Sequence, residues 1–268
     1  MKIIFEIYYH TRWGESLFLS GDIDELGANE ENRAVMMDYQ GDGLWKYTME
    51  LPASAKKFHY EYLVKSGEGI RREWGSPHSF SLGRNAGEYR LVDRWRDVPA
   101  DLPFYSSAFI QGIFFRQHAD SVVETIEPGT LTVKVDASQL RPDERLVMVG
   151  DCPELGDWDV LKAPLLNDSA FPEWQITLDG KQLKFPFEYK FVIVRTHQRE
   201  VVAWETGENR ICREKPQNPS EAVVVSGLRF NGSESQWRGA GTAIPVFSLR
   251  TDYGFGIGEF IDCLLYTS

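Results

Sequence analysis

Gly150-Asp151-Cys152-Pro153-Glu154-Leu155-Gly156 has an earlier counterpart in the same chain, Gly21-Asp22-Ile23-Asp24-Glu25-Leu26-Gly27. Working outward at that spacing of 129 residues, Glu15 matches Glu144, Leu17 matches Leu146 and Ala34 matches Ala163. Further on, Trp45 matches Trp174, Thr48 matches Thr177, Phe58 matches Phe187 and Tyr60 matches Tyr189. Twelve of the fifty positions from 15 to 64 are identical, where unrelated segments of average composition give about 3. Self-similarity at a fixed interval marks a duplicated unit. A one-residue insertion after this block aligns Trp74 with Trp204.

The duplication divides the 268 residues into copy one, 1–98, and copy two, 128–228, joined by a connector, 99–127. The connector carries Phe104, Tyr105, Phe109, Ile110, Ile113, Phe114 and Phe115. A free linker is polar and flexible, so this one is expected to pack on a domain. Within copy two, Leu131–Val135, Leu146–Val149, Trp174–Leu178, Phe185–Val194, Val201–Trp204 and Ala222–Val225 read as strands. In copy one the strands are Ile3–Tyr9, Ser16–Ser20, Trp45–Leu51, Phe58–Val64 and Gly87–Val92. Short apolar runs at regular spacing, punctuated by Gly-Asp and Asp-Gly turns, predict an all-β chain of two tandem antiparallel, immunoglobulin-like β-sandwiches.

Composition narrows the function. A net charge of −11 and a pI near 5.0 argue against nucleic acid and anionic membranes, which need clustered Lys and Arg. A neutral ligand fits. The N-terminus meets Glu6 at once and shows no secretory h-region, and no 18-residue apolar run is present. The cysteines Cys152, Cys212 and Cys263 match no metal spacing and read as free thiols of a cytoplasmic protein. The five histidines lack zinc-type spacing, and there is no G-x-S-x-G or phosphate loop. The Gly254/Gly256/Gly258 run has no βαβ unit around it. Neither metal nor cofactor is expected.

Copy two carries Leu155-Gly156-Asp157-Trp158-Asp159, then Phe187-Glu188-Tyr189-Lys190-Phe191, then Trp204-Glu205-Thr206-Gly207-Glu208-Asn209-Arg210. In that order the three motifs resemble carbohydrate-binding module family 20, the starch-binding modules. A glucan offers flat apolar sugar faces rimmed by hydroxyls, and exposed rings with nearby polar groups suit it. The resemblance implies a first sugar site at Trp158 and Trp204, with Lys190, Glu205 and Asn209 as polar partners. Without a ligand, the same tryptophans would be core residues, and Lys190 and Glu205 a solvated ion pair. Copy one keeps only Trp74 of this set in the sequence alignment, with Asn29, Glu61, Gly75 and Ser79 at the other positions. It does carry Trp13 and Tyr39, which match the family's second site, where copy two has Pro142. The two copies are thus expected to hold one site each, of different kinds. Trp45 and Trp174 are expected in the cores.

Residues 229–262 leave the repeat. Ala240-Gly241-Thr242-Ala243-Ile244-Pro245-Val246-Phe247-Ser248-Leu249 and Gly254-Phe255-Gly256-Ile257-Gly258 resemble the opening of glycoside hydrolase family 77, the 4-α-glucanotransferases. The resemblance implies the first strand of a truncated β/α barrel, which needs at least about 200 residues. It also implies a retaining transfer between α-1,4-glucans by two carboxylates that would lie beyond residue 268. No catalytic residue is assigned in this chain. The expected partners are starch, glycogen or maltooligosaccharides, and the oligomeric state is open. Residues 263–268, Cys-Leu-Leu-Tyr-Thr-Ser, are encodable by a transposase mosaic-end adapter and are expected to be foreign to the gene. The alternatives are the starch-binding part of an amylase or a glucan-phosphorylating enzyme, and a β-sandwich that binds other proteins.

Overall fold

The structure, a computed structural model, describes residues 1–52, 57–83, 87–98 and 126–232. Copy one contributes β1 (Lys2–Tyr8), β2 (Ser16–Gly21), β3 (Val35–Met36), β4 (Asp38–Gly41), β5 (Leu44–Glu50), β6 (Lys57–Ser66), β7 (Gly69–Arg72), β8 (His78–Ser81) and β9 (Glu88–Arg94). Copy two contributes β10 (Thr130–Asp136), β11 (Glu144–Gly150), β12 (Asn167–Ala170), β13 (Glu173–Asp179), β14 (Phe187–Arg195), β15 (Val201–Trp204), β16 (Arg210–Cys212) and β17 (Glu221–Arg229). The chain is all-β, and among the described residues the only helical pieces are short 3-10 turns. Among the described residues, no helix is long and apolar enough to cross a membrane. The barrel opening, most of the connector and Cys263 lie outside the described residues. At the connector's described end, Ile126 is buried in the core of copy one.

Each copy is a sandwich of a larger and a smaller sheet. The smaller sheets are β3-β2-β6-β7, with β8 also on β6, and β11-β14-β15, with β16 also on β14. The larger sheets are not separate. They merge into one eight-stranded sheet of order β12-β13-β10-β17-β9-β1-β5-β4.

The expectation of purely antiparallel sheets fails at three places: β1 runs parallel to β9, β10 parallel to β17, and β9 parallel to β17. Parallel neighbours need a long crossover. Within a copy, that crossover is everything between its first and last strands.

Alternation along β9 and β17 sorts their side chains. Leu91 and Val224 enter the core of copy one with Phe58 and Tyr60. Val92 and Val225 enter the core of copy two with Phe187 and Tyr189. The two smaller sheets therefore cover opposite faces of the shared sheet, and each copy lends side chains to the other's core. Trp45 and Trp174 are buried as expected, each donating its indole N–H to a backbone carbonyl (Tyr9 and Ala137) at 3.0 Å.

The seam also holds buried charge. Arg90 donates to Glu221 (3.0 Å), to Glu214 (2.8 Å) and to the Lys215 carbonyl (2.7 Å). Asp93, fully buried, accepts from Tyr60 (2.9 Å), Tyr62 (2.6 Å) and Ser226 (2.5 Å). Buried ions persist only when paired and hydrogen-bonded in this way.

Candidate functional site

The repeated Gly-Asp turn builds the site from the backbone up. A side chain at Gly150 would lie 2.5 Å from the Glu188 carbonyl and 2.8 Å from Leu155, so the close approach of β11 to β14 requires glycine. Asp151 then accepts the Glu188 N–H at 3.0 Å, as Asp22 accepts the His59 N–H at 2.8 Å. The loop folds back until the Trp158 N–H donates to the Gly150 carbonyl at 2.7 Å. That closure holds Trp158 at φ 65°, a left-handed conformation costly for a bulky residue. Asn29 takes the same place in copy one at φ 63°, its N–H on the Gly21 carbonyl at 2.6 Å, and asparagine tolerates that region.

Beneath the loop, Val147 and Val149 of β11 and Val192 and Val194 of β14 cluster with Val160 and Ala163, and the Trp158 ring packs on them. Lys190 alternates onto this same outer face of β14, and Trp204 stands directly across from Val192. Trp204 is 43% exposed. Trp158, Lys190 and Trp204 thus meet around Val192. The Lys190 ammonium is anchored on the carbonyls of Glu205 (3.2 Å) and Gly207 (2.5 Å). Asn209, exposed, donates to Glu188 at 2.8 Å. Its amide oxygen and second N–H are not used by that bond.

Glu205 does not join this face. It is 4% exposed and forms a two-pronged pair with Arg210, at 2.6 and 3.0 Å, while accepting the Phe191 N–H at 3.3 Å. Its carboxylate braces β14, β15 and β16.

The alignment beyond β6 is corrected too. β7 pairs Leu63 with Arg72, and β15 pairs Val192 with Trp204. Glu73 accepts the Tyr62 N–H as Glu205 accepts that of Phe191. The offset is therefore 132 residues after the hairpin, not 130, and copy two's hairpin is three residues longer. Arg72, not Trp74, is the counterpart of Trp204. In copy one, Asn29, Glu61 and Arg72 replace Trp158, Lys190 and Trp204, and Arg72 pairs with Glu61 and Glu31. A charge cluster stands where copy two has rings. Trp74 lies instead at the seam, with the Arg229 guanidinium of copy two 5.6 Å from its ring centroid.

Copy one offers a different feature. Trp13 is fully exposed on the turn Arg12-Trp13-Gly14-Glu15. Gly14 supplies φ 83°, the Glu15 N–H donates to the Arg12 carbonyl at 3.0 Å, and the Arg12 N–H donates back to the Glu15 carboxylate at 2.9 Å. Copy two builds the same turn from Arg141 to Glu144, with Pro142 at its tip. Tyr39, 56% exposed, packs its ring 5.1 Å from that of Trp45, and its hydroxyl accepts the Gly43 N–H at 3.2 Å. The Tyr9 N–H reaches the Gly43 carbonyl at 2.7 Å, so the chain leaving β1 toward Trp13 runs beside the β4–β5 turn, which follows Tyr39 on β4.

Among the described residues, no group of His, Cys, Asp and Glu is arranged to hold a metal. Sequence reasoning missed Val192, the floor between the rings, and Glu188, the anchor of Asn209; cross-strand register was needed to find both.

The family model described as a starch binding domain matches residues 1–88 and 130–223. The chain is 28% identical over 287 aligned positions to the 4-alpha-glucanotransferase DPE2 of Oryza sativa subsp. japonica, covering 99% of this chain and 29% of that protein. It is 32% identical over 73 residues to an AA13 family lytic polysaccharide monooxygenase A of Aspergillus terreus, covering 26% of this chain and 18% of that one. The chain thus spans under a third of the length of either relative. Among solved structures, the family 20 module of a maltotetraose-forming amylase from Pseudomonas saccharophila aligns with TM-score 0.30 and 19% identity, over 36% of this chain and 99% of that one. The chain belongs to the starch binding domain family and carries that domain twice.

Proposed function

We propose that copy two binds α-1,4-glucan on the outer face around Val192, with Trp158 and Trp204 stacking on sugar rings and Lys190 and Asn209 bonding hydroxyls. Copy one binds through Trp13 and Tyr39. The observation that carries the reading is Trp158. Its left-handed backbone favours asparagine, which copy one has, yet copy two keeps a half-buried indole there, with the exposed indole of Trp204 on the same face. A strained bulky residue points to a ligand role more than a folding one.

The domain division at 1–98 and 128–228 is part of the same proposal, as is the role of the longer protein. The likeness to the rice enzyme supports a glucan-binding portion of a 4-α-glucanotransferase acting on maltooligosaccharides, with glycogen or a similar soluble glucan as acceptor, the transfer chemistry lying outside this chain. A cytoplasmic setting is supported by the free, buried thiols of Cys152 and Cys212. Titration calorimetry with β-cyclodextrin tests the sites. Trp158→Ala should lower the affinity and Trp13→Ala the stoichiometry of binding, and wild-type affinity and stoichiometry in both variants defeat the assignment.

A further inference from the structure

The longer hairpin of copy two supplies a side chain that copy one cannot. β6 and β7 are joined by a tight turn from Ser66 to Gly69, whereas β14 and β15 are joined through Thr196-His197-Gln198-Arg199-Glu200. Arg199 sits at φ 50°, its N–H on the Arg195 carbonyl at 2.9 Å. One nitrogen of its guanidinium points at three carbonyls of the Trp158 loop: Ala163 at 2.7 Å, Leu161 at 2.9 Å and Val160 at 3.4 Å.

Those carbonyls end a helical turn, in which the Ala163 and Lys162 N–H groups donate to the Asp159 carbonyl at 3.0 Å. A cation is well placed at such an end. Arg199 therefore joins the hairpin that leads to Trp204, five residues on, to the loop that carries Trp158, five residues from Ala163. In copy one the related tie is the Lys65 ammonium on the Glu31 carbonyl, and the positions of Trp158 and Trp204 are held by Asn29 and Arg72.

We infer that Arg199 is a positioning residue for glucan recognition: it clamps the Trp158 loop to the β14–β15 hairpin and so sets the gap between the Trp158 and Trp204 rings. It touches no sugar. It acts by removing loop freedom before binding, so that less ordering is required when the ligand arrives. The inference rests on the proposed role of the Val192 face.

The test is a double-mutant cycle on the full chain, with β-cyclodextrin as the probe. Arg199→Met should weaken binding about tenfold, or roughly 1.4 kcal/mol, with the valine cluster keeping the sandwich folded. Arg199→Lys, a single compact ammonium in place of the fork, should fall between Met and wild type. In the Trp158→Ala background, Arg199→Met should cause no further loss, because a residue that acts through Trp158 has nothing left to position. A purely structural role would lower the melting temperature and leave this coupling at zero. Unchanged affinity in Arg199→Met, or losses that simply add to those of Trp158→Ala, overturn the inference alone. Full affinity in Trp158→Ala overturns the reading of the face itself.

Discussion

Glu73 and Glu205 occupy one position in two copies of one fold. Each sends its carboxylate to the backbone N–H of the neighbouring long strand, Tyr62 at 3.1 Å and Phe191 at 3.3 Å. Each pairs with the residue five places on, His78 at 3.0 Å and Arg210 at 2.6 Å. The basic partner has changed from an imidazole to a guanidinium while the brace has not.

Glu205→Ala should therefore act on stability. It leaves the buried Arg210 without its counter-charge, which typically costs about 3–5 kcal/mol. Denaturant titration should show that loss. A variant that unfolds like wild type yet loses glucan affinity would return Glu205 to the sugar-contact role.

Trp158→Ala and Trp204→Ala should each reduce β-cyclodextrin affinity by roughly tenfold, the range of a central aromatic contact, with melting temperature little changed for the exposed Trp204. Trp13→Ala should remove a separate binding event, visible as a drop in stoichiometry rather than in the affinity of the remaining site.

The copy-one charge cluster suggests a graft. Asn29→Trp, Glu61→Lys and Arg72→Trp together rebuild the Val192-type face on copy one. In the Trp13→Ala background, calorimetric stoichiometry should rise by one site. No rise would mean that more than these three positions separates the two faces.

The seam predicts cooperativity. Because Val92 and Val224 are buried in each other's copies, differential scanning calorimetry should give a single transition for both sandwiches. Arg90→Met, which strands Glu221 at the seam, should lower that one transition without splitting it. Two resolved transitions in the wild type would show that the copies unfold independently.

A pH dependence follows from Asp136. Burial and the neighbouring Glu173 raise its pKa to about 6, against the pull of Arg96, Arg229 and His78. The folded chain thus holds this proton more tightly than the unfolded one. On this group's account, stability is greatest below about pH 4, falls as pH rises to about 6, and is flat above. Glu73 has the opposite sign: against its own burial penalty, His78 and Arg96 hold its pKa at about 2, so its contribution is present above about pH 4.5 and is lost as pH falls toward 2. Asp136→Asn should stabilise the chain above pH 6 by roughly 1–3 kcal/mol, measured by denaturation at pH 4 and pH 7. Equal effects at both values would rule out the titration.

The duplication and most strands were legible because identical residues at a fixed offset need no structure to be seen. Trp158, Lys190 and Trp204 were legible as types in order, and the structure brings all three to one face. Glu205 was not, because a glutamate beside an exposed tryptophan reads the same whether it points out or in, and alternation along β15 turns it inward. Trp74 misled because an isolated tryptophan match outweighed the pairing register of a hairpin whose length had changed. The seam was hidden: nothing in the pattern of β9 or β17 distinguishes an edge strand from one that has found a partner in the next copy.

The pairing of β9 with β17 has a consequence for how far such a repeat can grow. Tyr89 and Val223 are equivalent residues, opposite Ile3 and Leu131 on the first strands, yet they face opposite sides of the shared sheet. The copies are thus related by about half a turn along the strand direction with a slip of one residue. An operation of that kind uses the same strand from each member and is exhausted after two. It closes as a symmetric dimer closes, whereas a solenoid always leaves a fresh end for the next repeat. Among the described residues the merged sheet ends in β4 on one side and β12 on the other, neither of which is the joining strand. Among the described residues, the joining strand of each copy is already taken up by the other.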